Sequence, residues 1–236
     1  MENRDYVMTG NDGAQDIAID GIRETPGLAI GIENAEKKLF VKLSDLEANG
    51  DGLKDVPHRT FAGDLALTAH ILLSNDSGTQ ASVRVTYDVL KRLNMTEDEL
   101  FDTAIENARS IKPMELMAIG SVLINMMGED AVDDMLGTAE PAVPMIVANA
   151  ADSLNGAAVM AYPDFMDKAA SALGCDEFWI IPSSIHEVLL VPSGTASGRD
   201  LTLMIQDVNG TQVAPEEVLS WHPYYCNGKE ITPVFG

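Results

Sequence analysis

The sequence predicts an α+β fold of mostly antiparallel strands with helices packed on one side. Three observations carry this. Short alternating apolar segments come in pairs around turn-forming residues, and amphipathic helical segments follow those pairs. Apolar residues also make up 46% of the 236-residue chain, enough to bury a substantial core in one large domain or in a domain with a smaller appendage.

In chain order, residues 1–15 are polar and read as frayed. Ile17, Ile19 and Ile22, then Leu28, Ile30 and Ile32, then Leu39, Val41 and Leu43 alternate with other residues. They predict three short strands within an N-terminal segment of residues 1–55, with turns at Glu24-Thr25-Pro26-Gly27 and Asn34-Ala35-Glu36. Residues 56–127 hold a first strand–strand–helix unit followed by a further helix. Segments 65–74 and 80–86 are strands around Asn75-Asp76-Ser77-Gly78, a helix follows, and a second spans about 97–110. Thr96, with Glu99 three residues on, is a capping box, in which each side chain satisfies a free backbone N–H of the other residue. Leu100, Phe101, Ala104, Ile105 and Ala108 share one helix face and Asp98, Asp102, Glu106 and Arg109 the other, so the helix packs on a sheet. Residues 114–127 read as the further helix, and residues 128–144, rich in acid and proline, as an acidic loop between units.

Residues 145–236 supply the remainder. Met145 to Ala148 and Ala157 to Met160 are strands around Asn155-Gly156, and a helix runs from Pro163 to Gly174. Glu177 to Ile181 and His186 to Val191 are strands around Pro182-Ser183-Ser184, followed by a helix at about 199–208 that closes at Asn209-Gly210. Tyr224-Tyr225-Cys226 and Lys229-Glu230-Ile231 form a hairpin on Asn227-Gly228. The strand–strand–helix unit thus recurs three times without residue-for-residue repetition.

Charge is the extreme feature. Asp and Glu total 37 against 15 Lys and Arg, a formal net charge of −22. Residues 1–60 carry 12 acids and 7 bases, 61–140 carry 14 and 5, and 141–236 carry 11 and 3, so every part is acidic. A phosphate backbone or an anionic membrane attracts the opposite sign. Direct nucleic-acid binding and membrane association are therefore disfavoured, whereas a basic protein surface fits. Solubility alone also explains such acidity. The polar N-terminus has no basic stretch leading into an apolar one, so no signal peptide is expected. The longest mostly apolar stretch, residues 114–127, is too short to cross a bilayer. Cys175 and Cys226 form no C-x-x-C pair and fit two reduced thiols in a cytoplasmic protein.

No segment has the spacing of a catalytic or cofactor site. Ser183, Ser184, His186 and Glu187 are the residue types of a hydrolase, but a serine nucleophile needs an imidazole within hydrogen-bond reach that a third group orients. On an extended strand His186 and Glu187 point to opposite faces, and Pro182, Ser183 and Ser184 suit a tight turn. The structural role is favoured for all five. His186-Glu187 begins like H-E-x-x-H, but position 190 is Leu. The histidines, His58, His70, His186 and His222, are scattered, so no metal set is expected. Asp45 to Asp51 copies the front of an EF-hand loop, but the twelfth position is Val56 where a bidentate Glu is needed; a solvated turn is expected instead. Neither G-x-G-x-x-G nor a Walker A loop occurs, and no cofactor is expected. Trp221-His222-Pro223-Tyr224-Tyr225 reads as core or strand-pairing residues.

Several segments resemble those of a known family: Val56-Pro57-His58-Arg59, Gly63-Asp64-Leu65-Ala66, Asn94 to Leu100, Asn155-Gly156-Ala157-Ala158, Phe178 to Val188 with Pro182-Ser183-Ser184-Ile185-His186-Glu187 at its centre, and Asn209 to Ser220. Over roughly residues 56–226 the chain is similar to a family of domain-of-unknown-function proteins of gut anaerobic bacteria, and more distantly to another uncharacterised bacillar family. The resemblance implies a shared fold and carries no catalytic residue, cofactor or partner.

Three functions stay open on the sequence. The favoured one is a non-enzymatic acidic interaction protein of the bacterial cytoplasm. Its candidate surface combines Asp98, Asp102 and Glu106, which fall at i, i+4 and i+8 on one helix, with Glu129, Asp130, Asp133 and Asp134 in the acidic loop. The others are a mobile-element anti-defence protein that mimics nucleic acid against a basic partner, and a hydrolase using His186 with Ser183 or Ser184.

Overall fold

A computed structural model of the chain describes residues 14–17, 34–76, 79–127 and 144–235. The fold is α+β. Its first sheet comprises β1 (Ala14–Ile17), β2 (Leu39–Asp45), β3 (His58–Phe61), β4 (Leu65–Asp76) and β5 (Thr79–Arg84). The long β4 is its spine. Residues 65–71 pair with β2 along one edge, while along the other residues 65–68 pair with β3 and residues 70–76 with β5. β1 adds to β5 in parallel.

The second sheet is antiparallel throughout, in the order β11-β10-β8-β9-β7-β6. Its strands are β6 (Met114–Ala118), β7 (Ile146–Ala150), β8 (Phe178–Pro182), β9 (Glu187–Pro192), β10 (Tyr224–Cys226) and β11 (Ile231–Pro233). Five α-helices are described: α1 (Tyr87–Leu93), α2 (Glu97–Ile111), α3 (Ile119–Met127), α4 (Phe165–Leu173) and α5 (Gly198–Thr211).

Helix α2 starts where the sequence says it should. Thr96 Oγ1 accepts the Glu99 N–H at 3.2 Å, and a Glu99 carboxylate oxygen accepts the Thr96 N–H at 2.8 Å, completing the capping box. Its apolar stripe, Leu100, Phe101, Ala104 and Ala108, is fully buried against the first sheet. The same apolar cluster continues through Phe40 and the segment 157–160 to Phe165, Phe178 and Tyr224, so one core joins the two sheets. On β8 the alternation of side chains sends Phe178 and Ile180 to that core. Ile181 and Val191 face the other way, where Leu201 and Ile205 of α5 cover them.

Four expectations need correction. Ala157 to Met160 is no strand but part of a 3-10 helix, Gly156–Ala161. Asn155 turns the chain with a left-handed φ of 50°, and the five residues from Gly156 to Met160 are all buried between β2 and β7. A continuous apolar run does not distinguish a strand from a buried helical turn. Residues 114–127 are not one helix: Met114–Ala118 pairs with β7 as an edge strand, and only Ile119–Met127 is helical. Helix α5 runs through Asn209-Gly210 to Thr211, because the Asn209 side chain is buried and donates to the Ser220 carbonyl instead of turning the chain. Residues 14–17 form β1, so its first two residues, Ala14 and Gln15, are a strand where residues 1–15 were expected to fray. The strand–strand–helix unit therefore stands complete in β4-β5-α1 and in β8-β9-α5. The strand expected at Leu28–Ile32 and residues 128–143 of the acidic loop expected at 128–144 lie outside the described residues, as does most of the strand expected at Ile17–Ile22.

Candidate functional site

The signature segment folds into a joint between distant parts of the chain. Ser183 and Ser184 donate their backbone N–H groups to the Glu187 carbonyl, each at 3.3 Å, which closes the β8–β9 turn. Ser184 Oγ accepts the His186 N–H at 3.0 Å, and Ser183 Oγ donates to Glu187 Oε1 at 3.3 Å. Both hydroxyls serve the turn itself. The Ile185 N–H donates to the Glu217 carbonyl at 2.8 Å, and the Ile185 carbonyl accepts the Ala157 N–H at 3.2 Å. Three of the segments that carry the family resemblance thus meet here: Asn155-Gly156-Ala157, Ser184-Ile185-His186 and the region of Glu217.

The imidazole of His186 is part of the joint. Its Nδ1 accepts the Asn155 N–H at 3.1 Å, so the ring proton sits on Nε2, which faces Glu217 Oε1 at 3.5 Å. The ring therefore has no free lone pair with which to take a proton from a serine, and among the described residues no hydroxyl hydrogen-bonds it. Gly156 shows how tightly the pieces close. A Cβ there would lie 2.4 Å from both the Ala150 nitrogen and the His186 carbonyl oxygen. Only glycine fits so close an approach of backbone to backbone.

The other histidines are equally committed. His222 is bound by Asp64 and the Pro223 carbonyl, His70 Nε2 lies 3.0 Å from Thr68 Oγ1, and His58 Nδ1 lies 2.9 Å from the Val56 carbonyl oxygen. Among the described residues, no three of His, Cys, Asp and Glu stand close enough to hold a metal ion. The segment that resembles an EF-hand is a turn in which Asp45 Oδ1 accepts the Ala48 N–H at 2.7 Å and the Asp45 carbonyl accepts from the Asn49 side chain.

The acidic stripe of α2 is present but partly answered. Asp98 and Asp102 both face Arg59, at 2.8 and 3.6 Å, and Glu106 faces Arg109 at 3.1 Å. Arg59 is itself anchored over the Phe101 ring, 4.8 Å from its centroid. The three acids remain largely exposed, so each pair is weak, yet the stripe is no uninterrupted negative field. Glu129, Asp130, Asp133 and Asp134 lie outside the described residues.

Beyond the end of α2 opens a cleft of about 350 Å³ lined by Glu106, Arg109, Ser110, Tyr162, Asp164 and Lys168 among others. Its charges match one another: Arg109 bridges Glu106 and Asp164, and Lys168 binds the same Asp164 oxygen at 2.8 Å. The Lys168 ammonium is the largest cause that holds the Asp164 carboxyl below its ordinary range. A second cleft of about 230 Å³ shares Tyr162 and is apolar, with Phe61, Met160, Met166 and Ile231 in its walls.

Sequence reasoning missed Asn155 and Glu217 as partners of His186, Asp64 as the partner of His222, and the pair Lys112–Asp152. Each joins residues at least 31 positions apart, a relation that no local pattern encodes. The available signal was that Asn155, Asp64 and Glu217 all lie in segments of family resemblance.

The outermost face of α5 carries the exposed apolar group. Leu203, Met204 and Val208 are 58%, 44% and 39% exposed, whereas Leu201, Thr202, Ile205 and Asn209 turn inward. At 100° per residue, Asp200 and Asp207 fall on the same outward arc as the three apolar side chains. No helix among the described residues is long and apolar enough to cross a membrane. No curated protein and no solved structure matches the chain. The family of unknown function DUF5688 matches residues 27–227, a span that takes in β2 to β10 and every residue of the His186 joint, and the chain belongs to that family.

Proposed function

We propose that the protein is a non-enzymatic interaction protein of the bacterial cytoplasm and that it binds a basic protein partner through the outer face of α5. The observation that carries this is the grouping of Leu203, Met204 and Val208 with Asp200 and Asp207 on one exposed arc. Single exposed apolar residues need no explanation, but three on one helix face form a patch that a partner can cover. Arg199 is the one cation of this helix, and the whole chain carries −22, so the complementary partner presents apolar anchors flanked by Lys or Arg.

Supporting the non-enzymatic part, both signature hydroxyls are spent on the β8–β9 turn and the His186 ring has no free lone pair. Mimicry of nucleic acid has weaker support, since Arg59 and Arg109 interrupt the carboxylates of α2.

Calorimetric titration with a Lys-rich amphipathic helical peptide tests the reading. Binding that weakens steeply with added salt is expected. Failure of the peptide to bind at low salt, where the attraction is greatest, would overturn it.

A further inference from the structure

The two sheets touch at a turn and a histidine. Asp64 ends the β3–β4 turn, where Ala62 and Gly63 have φ values of 47° and 94°. Positive φ favours glycine, and the Gly63 site is crowded besides: a Cβ there would lie 3.2 Å from the Pro233 ring of β11. The turn of the first sheet thus rests on the edge strand of the second.

His222, just before β10, fastens that contact. Its Nε2 lies 2.7 Å from Asp64 Oδ2 and its Nδ1 lies 3.2 Å from the Pro223 carbonyl oxygen. A carboxylate and a carbonyl can only accept, so both ring nitrogens must donate and the ring is an imidazolium. It is 8% exposed, and the exposed Phe235 ring packs edge-on against it at 4.5 Å. Tyr224 adds a second strap, its hydroxyl donating to Asp64 Oδ1 at 2.9 Å. The apolar cleft of about 230 Å³ lies along this seam, lined by Phe61 at the end of β3, Ala62 of the turn and Ile231 of β11.

We propose that the Asp64–His222 ion pair is a pH-sensitive latch that clamps the β3–β4 turn onto the second sheet and holds the walls of the adjoining apolar cleft together. Loss of one proton leaves a ring with a single N–H. One acceptor then faces a lone pair, the ion pair is lost because the ring is neutral while Asp64 stays a carboxylate, and the seam depends more on Tyr224 and on backbone packing.

The charged groups facing the ring agree on direction. Burial opposes the imidazolium and is the largest single influence, yet the Asp64 hydrogen bond, the Pro223 carbonyl and the charges of Asp64 and of Asp45 at the end of β2 together outweigh it. The ring therefore holds its proton above the ordinary histidine range. Tyr224 stays neutral, since burial pushes its phenol up. For a raised value the sign is fixed. The latch contributes fully below the unfolded histidine value of about 6.5, and that contribution is lost as pH rises through the higher folded value.

Two measurements on the full chain test this. NMR titration of the His222 ring in the parent protein should give a midpoint above about 6.5; a midpoint at or below that value overturns the latch. Hydrogen exchange, corrected for intrinsic rates, should show residues 62–65 and 231–234 opening more readily as pH rises from about 6.5 to that midpoint, and levelling off above it. The opening constant should increase up to about tenfold for each pKa unit separating the closed and open states. In His222→Gln, which keeps a donor but cannot titrate, the same segments should show no such rise. Equal pH dependence in parent and variant would overturn the proposal.

Discussion

Lys112 Nζ lies 2.8 and 2.7 Å from the two carboxylate oxygens of Asp152 and 2.6 Å from the Leu154 carbonyl oxygen, so a lysine that is 1% exposed spends all three donors on one loop. Its own carbonyl accepts the Tyr162 hydroxyl at 2.9 Å, and its ammonium stands 5.7 Å from the Phe40 ring centroid. Burial pushes the ammonium down, against the pull of Asp152.

From this pair comes an asymmetric expectation. Asp152→Ala strands a buried cation and should lower unfolding stability by about 3–5 kcal/mol. Lys112→Met keeps the stem volume and removes the charge, leaving behind a carboxylate that is 20% exposed, and should cost clearly less. Urea denaturation of both variants checks this, and equal losses would contradict it.

Gly156 and Gly210 should respond in opposite ways to alanine. At Gly156 the new methyl meets backbone on two sides at 2.4 Å, and a loss of about 1–3 kcal/mol or more is expected. At Gly210, inside α5, nothing lies within 4 Å of the new methyl, so a gain of about 0.4–1 kcal/mol is expected. A tolerated Gly156→Ala would mean that the joint around His186 is looser than its geometry states.

Much of the fold was legible because its signals are local. Thr96 and Glu99 lie three residues apart, and the stripe from Leu100 to Ala108 repeats at the helical period; both appear in α2 as the sequence indicates. Asn227-Gly228 likewise marks the turn from β10 into β11, with Gly228 at a φ of 78°, but the loop takes in Lys229 and Glu230, so the second strand runs Ile231–Pro233 and not Lys229 to Ile231 as expected. The segments that misled were apolar runs, Ala157 to Met160 and Met114 to Ala118, whose conformation depends on what packs beside them. β3 was missed because His58-Arg59-Thr60-Phe61 has no alternation of apolar residues, being held instead by pairing with residues 65–68 of β4. The candidate site was less legible still. That Asp98 and Asp102 share a helix face follows from their spacing, but that Arg59, some 39 residues earlier, would meet them does not.

Ser184→Ala removes the acceptor of the His186 N–H and should lower stability by about 0.5–1.5 kcal/mol. The circular dichroism spectrum should stay native. A variant as stable as the parent would show that the hydroxyl does not hold the turn.

Both thiols should resist labelling in the folded protein. Burial pushes Cys226 up, and burial with the charge of Asp176 does the same for Cys175, so little thiolate forms at neutral pH. Ellman's reagent should report slow reaction before unfolding and two thiols after it. Fast labelling of the native chain would contradict this.

The most direct test of binding through α5 is a paired substitution read against a control on α2. Affinity for a Lys-rich amphipathic peptide is measured for Leu203→Ser with Met204→Ser, and for Asp102→Lys with Glu106→Lys. Because Leu203 and Met204 point outward, the first pair should leave the melting temperature unchanged and weaken binding at least about tenfold, the scale expected when central apolar anchors are removed. The second pair should weaken binding far less. Full affinity in the Leu203/Met204 variant with the fold intact would contradict the account, and loss confined to the Asp102/Glu106 variant would move the binding surface to α2.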